Sequence, residues 1–392
     1  MSTVALPRAL PWALIAAACL GSFAATSSGT TRAPFLLEMA HDLDVSMPLV
    51  ANLVSMTATA WGIASALGGW LSDRLGRRPL LVAAPFALAL AMVAQAFAGN
   101  FFWVAVWASI AGGCAGAFTG VVFAEVSTRV PDAQRGRALG WVMSGQSLTL
   151  VVGVPLAAAI GALIGWRGWN ICVAGLAFAA CLSLFATVSG GTSGATSVDR
   201  RPSMRTALSP RVMALLGTGI AERICYGLAV VYFATFLQAT YGLSLGELAL
   251  PLAVFALGNV GGTLLGGQLA DRRRDRLTTF AAAMALSGIA ALALFMWHPG
   301  PGVSVALGFV YVLLNALGRP SFMAALAAVP DDVRGTVMGL NGTSASLGWI
   351  GAAGLGAAMI GSVGFDGFGP LTAVLALLSA AGALLSRRTA VP

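Results

Sequence analysis

The sequence predicts an all-α membrane protein, with twelve transmembrane helices in two six-helix pseudo-symmetric bundles. Three observations carry that prediction. Hydrophobic residues make up 58% of the chain and charged residues 9%, whereas soluble domains carry about 25% charged residues. Apolar runs of roughly 20 residues, the length that crosses a bilayer, recur twelve times. Two motifs also return in the second half: "GGWLSDRLGRR" at 68–78 as "GGQLADRRRDR" at 266–276, and "PDAQRGRALG" at 131–140 as "PDDVRGTVMG" at 330–339, offsets of 198 and 199 residues.

Taken in order, the spans cover about 11–39, 48–71, 79–98, 101–128, 138–164, 169–188, 212–240, 247–269, 278–297, 302–328, 336–361 and 368–386, separated by short charged or Gly/Pro-bearing loops. The first is too long for a cleavable signal peptide, follows a single Arg and lacks a small-residue cleavage pattern. An even count puts both termini on one side, and the basic residues say which. All 22 are Arg; eighteen fall in the termini and alternate loops, and one, Arg167, falls in the opposite set. By the positive-inside rule both termini are expected in the cytoplasm, the chain being multi-pass in the cell inner membrane. The net charge of +8 then reports topology and implies no nucleic-acid partner. "SGGTSGATSVDRRPSMR" at 189–205 has the composition of a flexible linker, which divides the chain into a bundle over 1–188, a cytoplasmic linker over 189–210 and a bundle over 211–392. The 49 glycines predict close helix packing, because small residues let membrane helices approach when no hydrophobic effect draws them together.

Several classes are not supported. The five cysteines all lie within spans and have neither a disulfide framework nor metal-ligand spacing. His41 and His298 fall near the outer surface, where solvation is expected. Nothing resembles HExxH, a P-loop or a nucleophile elbow. The expectation is a non-enzyme without metal or cofactor, a monomer whose partners are lipid, protons and a small-molecule substrate.

Three arginines, Arg32, Arg223 and Arg319, belong to no loop, and "GIAERICYG" at 219–227 places Glu222 beside Arg223 inside an apolar run. From Arg211 to Glu222 is eleven residues, roughly 16 Å of helix, or half of a hydrocarbon core of about 30 Å. From Arg319 to Pro330 is the same count. A charge at that depth costs roughly 2.5–3.5 kcal/mol and faces a partner or a wet cavity. Helical neighbours point about 100° apart, so Glu222 and Arg223 are not expected to pair well with each other. The functional expectation is that the arginines attract an anionic or strongly hydrogen-bonding group while Glu222 takes up a proton in exchange; the alternative is a permanent structural ion pair with the third charge snorkelling.

Among other polar groups, Asn52, Gln146, Asn259, Asn315 and Asn341 serve either a ligand or helix association. Of the aromatics (Trp61, Trp107, Trp141, Tyr226, Tyr232, Tyr311), Tyr226 is favoured for stacking on a flat substrate, one turn from Glu222. Trp103, Trp166 and Trp169 are expected in the interface belt. Arg32 lies in the outer third, as a vestibule residue or an interface anchor. Glu125, roughly 9 Å from the cytoplasmic edge, favours a gate salt bridge with Arg77, Arg78 or Arg135.

In "GGWLSDRLGRRPLL", Gly69 and Gly76 allow close backbone approach and a tight turn, Asp73 suits the positive end of a neighbouring helix, and Arg74, Arg77 and Arg78 stay on the cytoplasmic surface. This stretch resembles the signature G-x-x-x-D-R-x-G-R-R of the major facilitator superfamily at every signature position, and with its second copy and the six-plus-six layout the resemblance covers essentially the whole chain. It implies the major facilitator fold, a cavity lined by spans one, four, seven and ten, and a cytoplasmic latch between the halves. On that footing Glu222 and Arg319 face each other across the cavity, with Arg223 on the adjacent wall. In the second copy Asp271 and Arg272 are kept, whereas Arg274 and Asp275 replace the counterparts of Gly76 and Arg77, so the two latches should differ in strength. "GVPLAAAIGALIGWRGWN" at 153–170 resembles the fifth helix of twelve-span drug:proton antiporters and sugar-efflux proteins, with Ala157 where Gly is usual. Ala108 stands where that group carries Arg, and the first span has no acid before Glu38, so export of lipophilic cations is not supported. The reading is proton-coupled efflux of a small organic solute by alternating access. The alternative is import or exchange of a mono- or dicarboxylate clamped by Arg223 and Arg319.

Overall fold

The structure, a computed structural model, describes residues 11–130, 132–188, 209–272, 275–328 and 331–388. Arg8, Arg274 and residues 189–208 of the expected linker lie outside the described residues. Helices α1 (Trp12–Thr30), α2 (Leu36–Asp42), α3 (Met47–Ala51), α4 (Leu53–Leu75), α5 (Arg77–Ala96), α6 (Phe101–Arg129), α7 (Asp132–Leu148) and α8 (Val154–Thr187) come first. They are followed by α9 (Pro210–Tyr241), α10 (Ala249–Arg272), α11 (Arg276–Met296), α12 (Pro301–Leu326), α13 (Asp331–Ser362) and α14 (Phe368–Arg388), with no strand among the described residues.

Among the described residues eleven continuous stretches are long and apolar enough to cross a membrane, and one of them, Arg137–Thr187, runs to 51 residues. It is not one crossing. Gly165, at φ 67° and ψ 176°, breaks the helix in a conformation that only glycine adopts without strain, and the break falls between the fifth and sixth predicted spans. About twelve crossings result. The first span differs from expectation: α1 stops at Thr30, a 3-10 turn covers Ala33–Phe35, and α2 follows. Pro34 sits at the start of that turn and has no N–H to continue the ladder.

Helix ends follow local chemistry. Asn100 caps α6 by accepting from Trp103 N at 3.1 Å, and Ser209 caps α9 at Val212 N ahead of Pro210. Gly242 closes α9 in the left-handed conformation. Arg167 donates to the carbonyls of Ala96 and Ala98, both at 2.8 Å, placing a cation at the negative end of α5.

The chain separates into two compact units. The first holds residues up to 31, 60–153 and the part of α8 from 164 onward; the second holds 32–59, 154–163 and everything from α9 on. In the first, a Cβ on Gly116 or Gly120 of α6 would run into the backbone of Trp61 or Ser65 of α4. In the second, Gly258, Gly262 and Gly266 of α10 meet the carbonyls of Phe309, Leu313 and Leu317 of α12 in the same way. By the repeat, α10 is the counterpart of α4, so the close approach is kept while the glycines change helix. Gly262→Leu is expected to lower stability by about 1–3 kcal/mol through overpacking, read as a fall in melting temperature of purified protein. Gly267→Ala, at a position open on all sides, should leave it unchanged or higher.

The second unit is built around α9, whose most apolar window is 78% buried. Tyr232, Phe233 and Phe236 of α9 are fully buried, and Phe236 meets Phe295 edge-on at 5.2 Å. The interface-belt expectation is corrected for Trp166 and Trp169, which are only 3% and 6% exposed. Trp169 Nε1 donates to Thr31 Oγ1 at 2.7 Å, a partner inside the bundle that outweighs the interface. Trp103 is exposed as expected. All five cysteines are free. His41 and His298 are both exposed, and the His298 ring also lies 2.9 Å from the Phe295 carbonyl.

Candidate functional site

The intramembrane charges of the second half come together. Glu222 lies twelve residues past Pro210, the first residue of α9, about 18 Å along the helix at 1.5 Å per residue. Its side chain is 2% exposed. Arg319 of α12 donates to Glu222 Oε1 from Nη2 at 2.9 Å and from Nε at 3.2 Å. The other oxygen, Oε2, is 3.5 Å from Arg223 Nε. Glu222 and Arg223 come within ionic reach but make no hydrogen bond, the weak pairing expected of helical neighbours whose directions diverge, while both hydrogen bonds to the carboxylate come from Arg319. One carboxylate thus holds two guanidinium groups, leaving an excess of one positive charge.

Around the triad the site is aromatic and amide-bearing. Arg319 Cζ lies 4.4 Å over the Tyr226 ring, a cation–π contact, and Trp349 of α13 meets Tyr226 edge-on at 6.0 Å. Asn259 of α10 donates to the Tyr226 hydroxyl at 3.1 Å, while Asn315 Oδ1 accepts from Arg319 at 3.4 Å. Gly348 of α13 makes room for Arg223, because a Cβ there would overlap the Arg223 Cβ. Gly227 faces Ala352 and Gly356 faces Tyr232, so small residues at four-residue spacing on α13 seat it against the site helix. Trp349 and Gly348 were not singled out from the sequence; the spacing of Gly348, Ala352 and Gly356 was the available signal.

Other candidates are placed elsewhere. The Tyr311 hydroxyl donates to the Cys225 carbonyl at 2.6 Å and that of Tyr232 to the Ala353 carbonyl at 2.7 Å; both rings are fully buried, which corrects their reading as stacking surfaces. Trp141 packs edge-on against Trp12 at 6.1 Å. Asn341 donates to Met323 Sδ, a link between helices. Arg32 is 7% exposed, with Nη1 donating to Thr57 Oγ1 at 3.3 Å, so it is enclosed by protein and is not an interface anchor.

The signature residues form a second charged cluster, within the first unit. Glu125, buried on α6, lies 2.5 Å from Arg129 Nε and 3.6 Å from Arg77 Nη1. Arg77 also donates to Thr128 Oγ1 at 2.8 Å and to the Ala124 carbonyl at 3.3 Å. Gly76, at φ 83°, supplies the turn that starts α5 beside the end of α6. Arg78 is directed elsewhere, 5.4 Å over the Phe185 ring, and Arg74 is exposed. Gly69 lies within α4; the side chains of Asp73 and Arg135 lie outside the described residues.

In the second copy Asp271 and Arg272 are exposed at the end of α10, and Asp275 has a different task from its counterpart Arg77. It caps α11, accepting from Thr278 N at 3.2 Å and Thr278 Oγ1 at 2.8 Å, and pairs with Arg387 of α14 at 3.0 Å. The hydrogen bond from Thr278 holds its carboxyl below the usual aspartate value. Asp275→Ala is expected to cost about 1 kcal/mol as a lost cap. Because the folded-state value is depressed, the charge-dependent part of the contribution is fully present above the unfolded value near 3.8 and is lost as pH falls from there through the lower folded-state value. A melting series between pH 3 and pH 7 on both proteins checks this, the difference narrowing at the acid end.

Comparison with known proteins agrees with this architecture. A family model described as Major Facilitator Superfamily matches residues 18–278 and 215–392. A chloramphenicol resistance protein of Streptomyces lividans is 26% identical over 341 residues, 81% of this chain and 86% of the relative. A purine ribonucleoside efflux pump of Shigella sonnei is 26% identical over 288 residues, 72% of this chain and 70% of the relative. The crystal structure of a bacterial homolog of the human lysosomal transporter Spinster, in an inward-facing and unoccupied conformation, superposes with a TM-score of 0.81 at 16% identity, covering 98% of each chain.

Proposed function

Because the chain belongs to the major facilitator superfamily and is an integral membrane transporter, we propose that it exports a small organic solute by proton-coupled alternating access, with Glu222 as the proton-carrying group. The observation that carries this reading is a carboxylate 2% exposed near mid-helix in a membrane span. An ion is costly there, and this one is held by arginines from its own and a facing helix. The outward direction is supported by relatives named for efflux or drug resistance. The location is the cell inner membrane, with both termini cytoplasmic, on the distribution of arginine. The division into halves at 189–210 and the gate role of Gly69, Asp73, Arg74, Gly76, Arg77, Arg78, Glu125, Asp271 and Arg272 belong to the same proposal. The test is reconstitution in liposomes carrying an internal pH dye, with chloramphenicol and a purine ribonucleoside among the solutes. Solute movement against its gradient, accompanied by a pH change, is expected; flux that ignores an imposed pH gradient would remove the coupling.

A second reading, carriage of an organic anion, is favoured by one specific feature. Two arginines share a single carboxylate, so the site keeps a positive charge that no acid in contact with it among the described residues balances.

A further inference from the structure

We infer that the cargo docks as a planar organic anion on Arg223, against Trp349, and that a proton on Glu222 strengthens this hold, so that cargo and proton occupy the site together. The inference rests on the reading that Glu222 is the proton site, and it goes further in naming the cargo class and the sign of the coupling.

Arg319 is committed: two of its nitrogens are on Glu222 Oε1, one of them also on Asn315, and its face lies on Tyr226. Arg223 is not. Among the described residues its one ion pair is the 3.5 Å approach of Nε to Oε2, and neither Nη makes a hydrogen bond. Its side chain is 23% exposed while that of Glu222 is 2% exposed. Arg223 is the more accessible of the two arginines, the Arg319 side chain being 16% exposed, and its two Nη groups are the donors left for a ligand, in the planar arrangement that matches a carboxylate. Beside it stands the half-buried Trp349 ring, backed edge-on at 6.0 Å by the buried Tyr226 ring, with Gly348 making room for the Arg223 stem. Donors and ring together fit a flat acid.

The sign of coupling follows from charge. With Glu222 ionised, Oε2 competes with an incoming anion for Arg223 and repels it. A proton on Glu222 removes both effects and leaves two cations to one anion. By linkage the anion favours the proton to the same extent. Among the described residues no other acid opposes this at the site. From α12 the facing groups are Arg319 and the Tyr311 phenol, and from α9 itself Arg223, Cys225 and Tyr226. The acids of α13, Asp331 and Asp332, sit at its first turn, α14 carries charge only at Arg387 and Arg388, and the turn at Ala33–Phe35 adds only Arg32. Proton and anion then travel in one direction, so Glu222 stays the proton site but joint carriage replaces exchange: the acid leaves with its proton only when it is in excess inside.

Benzoate, benzamide and cyclohexanecarboxylate test this as probes for stabilisation of the full-length protein in nanodiscs between pH 6 and pH 8. Benzoate is expected to bind roughly tenfold more tightly at pH 6 than at pH 8, within the usual range of site coupling, with benzamide and cyclohexanecarboxylate both weaker. Glu222→Gln should bind benzoate at the acid-level affinity at every pH, Arg223→Gln should lose it, and Arg223→Lys should regain part of it. Equal binding of benzamide, absence of benzoate binding, or a pH-independent wild type would each overturn the inference. If binding shows no pH dependence while Glu222→Gln still loses proton-driven flux, the inference falls and the proton-site reading stands.

Discussion

Glu222→Gln is expected to abolish proton-driven solute movement in proteoliposomes, down to the level of empty vesicles, while counterflow exchange of labelled for unlabelled solute persists. Gln keeps the size of the side chain and an oxygen for Arg319 Nε and Nη2, so the contact between α9 and α12 survives in outline. It cannot take up or release a proton. A carrier frozen in the protonated-like state can shuttle with cargo bound but cannot use the proton gradient, which is why the two assays should separate. Arg319 and Arg223 lose their counter-charge in this variant, so a lower melting temperature is also expected, and flux is compared at equal amounts of folded protein. Normal uphill movement by the Gln protein would show that the proton is carried elsewhere.

The second large effect is expected at the partner. Arg319→Met leaves Glu222 enclosed with only the 3.5 Å contact to Arg223, and breaking a buried ion pair from one side costs about 3–5 kcal/mol. The retained Arg223 contact places the loss toward the lower figure. A melting temperature well below wild type is expected, and adding Glu222→Gln should restore most of it, because the uncompensated charge is then gone. The double-mutant cycle isolates the pair energy. A single variant as stable as wild type, or a double variant no better than the single, would show that the pair contributes little to folding.

Much of the fold was legible because a bilayer makes strict demands. Each crossing needs about 20 apolar residues with its backbone bonds closed internally, and the repeated motifs announced a duplicated unit before any geometry was available. Depth counting brought Glu222 and Arg319 to similar levels on separate spans. What it could not supply was side-chain reach. From its direction on the helix Arg223 is expected to pair poorly with Glu222, and it makes no hydrogen bond to it; the 3.5 Å ionic approach depends on a side chain with four rotatable bonds, whose path that direction alone does not give. Trp166 and Trp169 read as belt residues because tryptophan favours interfaces, and the hydrogen bond from Trp169 to Thr31 depends on residues 138 positions apart. Asp275 looked like a damaged signature residue, whereas its hydroxyl and arginine partners, Thr278 and Arg387, give it a new task.

By itself, the sequence determined that this chain lives in lipid, crosses it about twelve times and carries a few ions where lipid tolerates none, since hydropathy and charge act through composition and spacing. Only the tertiary structure decided which ions meet. One carboxylate holds two arginines because glycines on α13 let that helix close on α9 and leave room for Arg223, and such close approach is a property of facing backbones that no single helix displays.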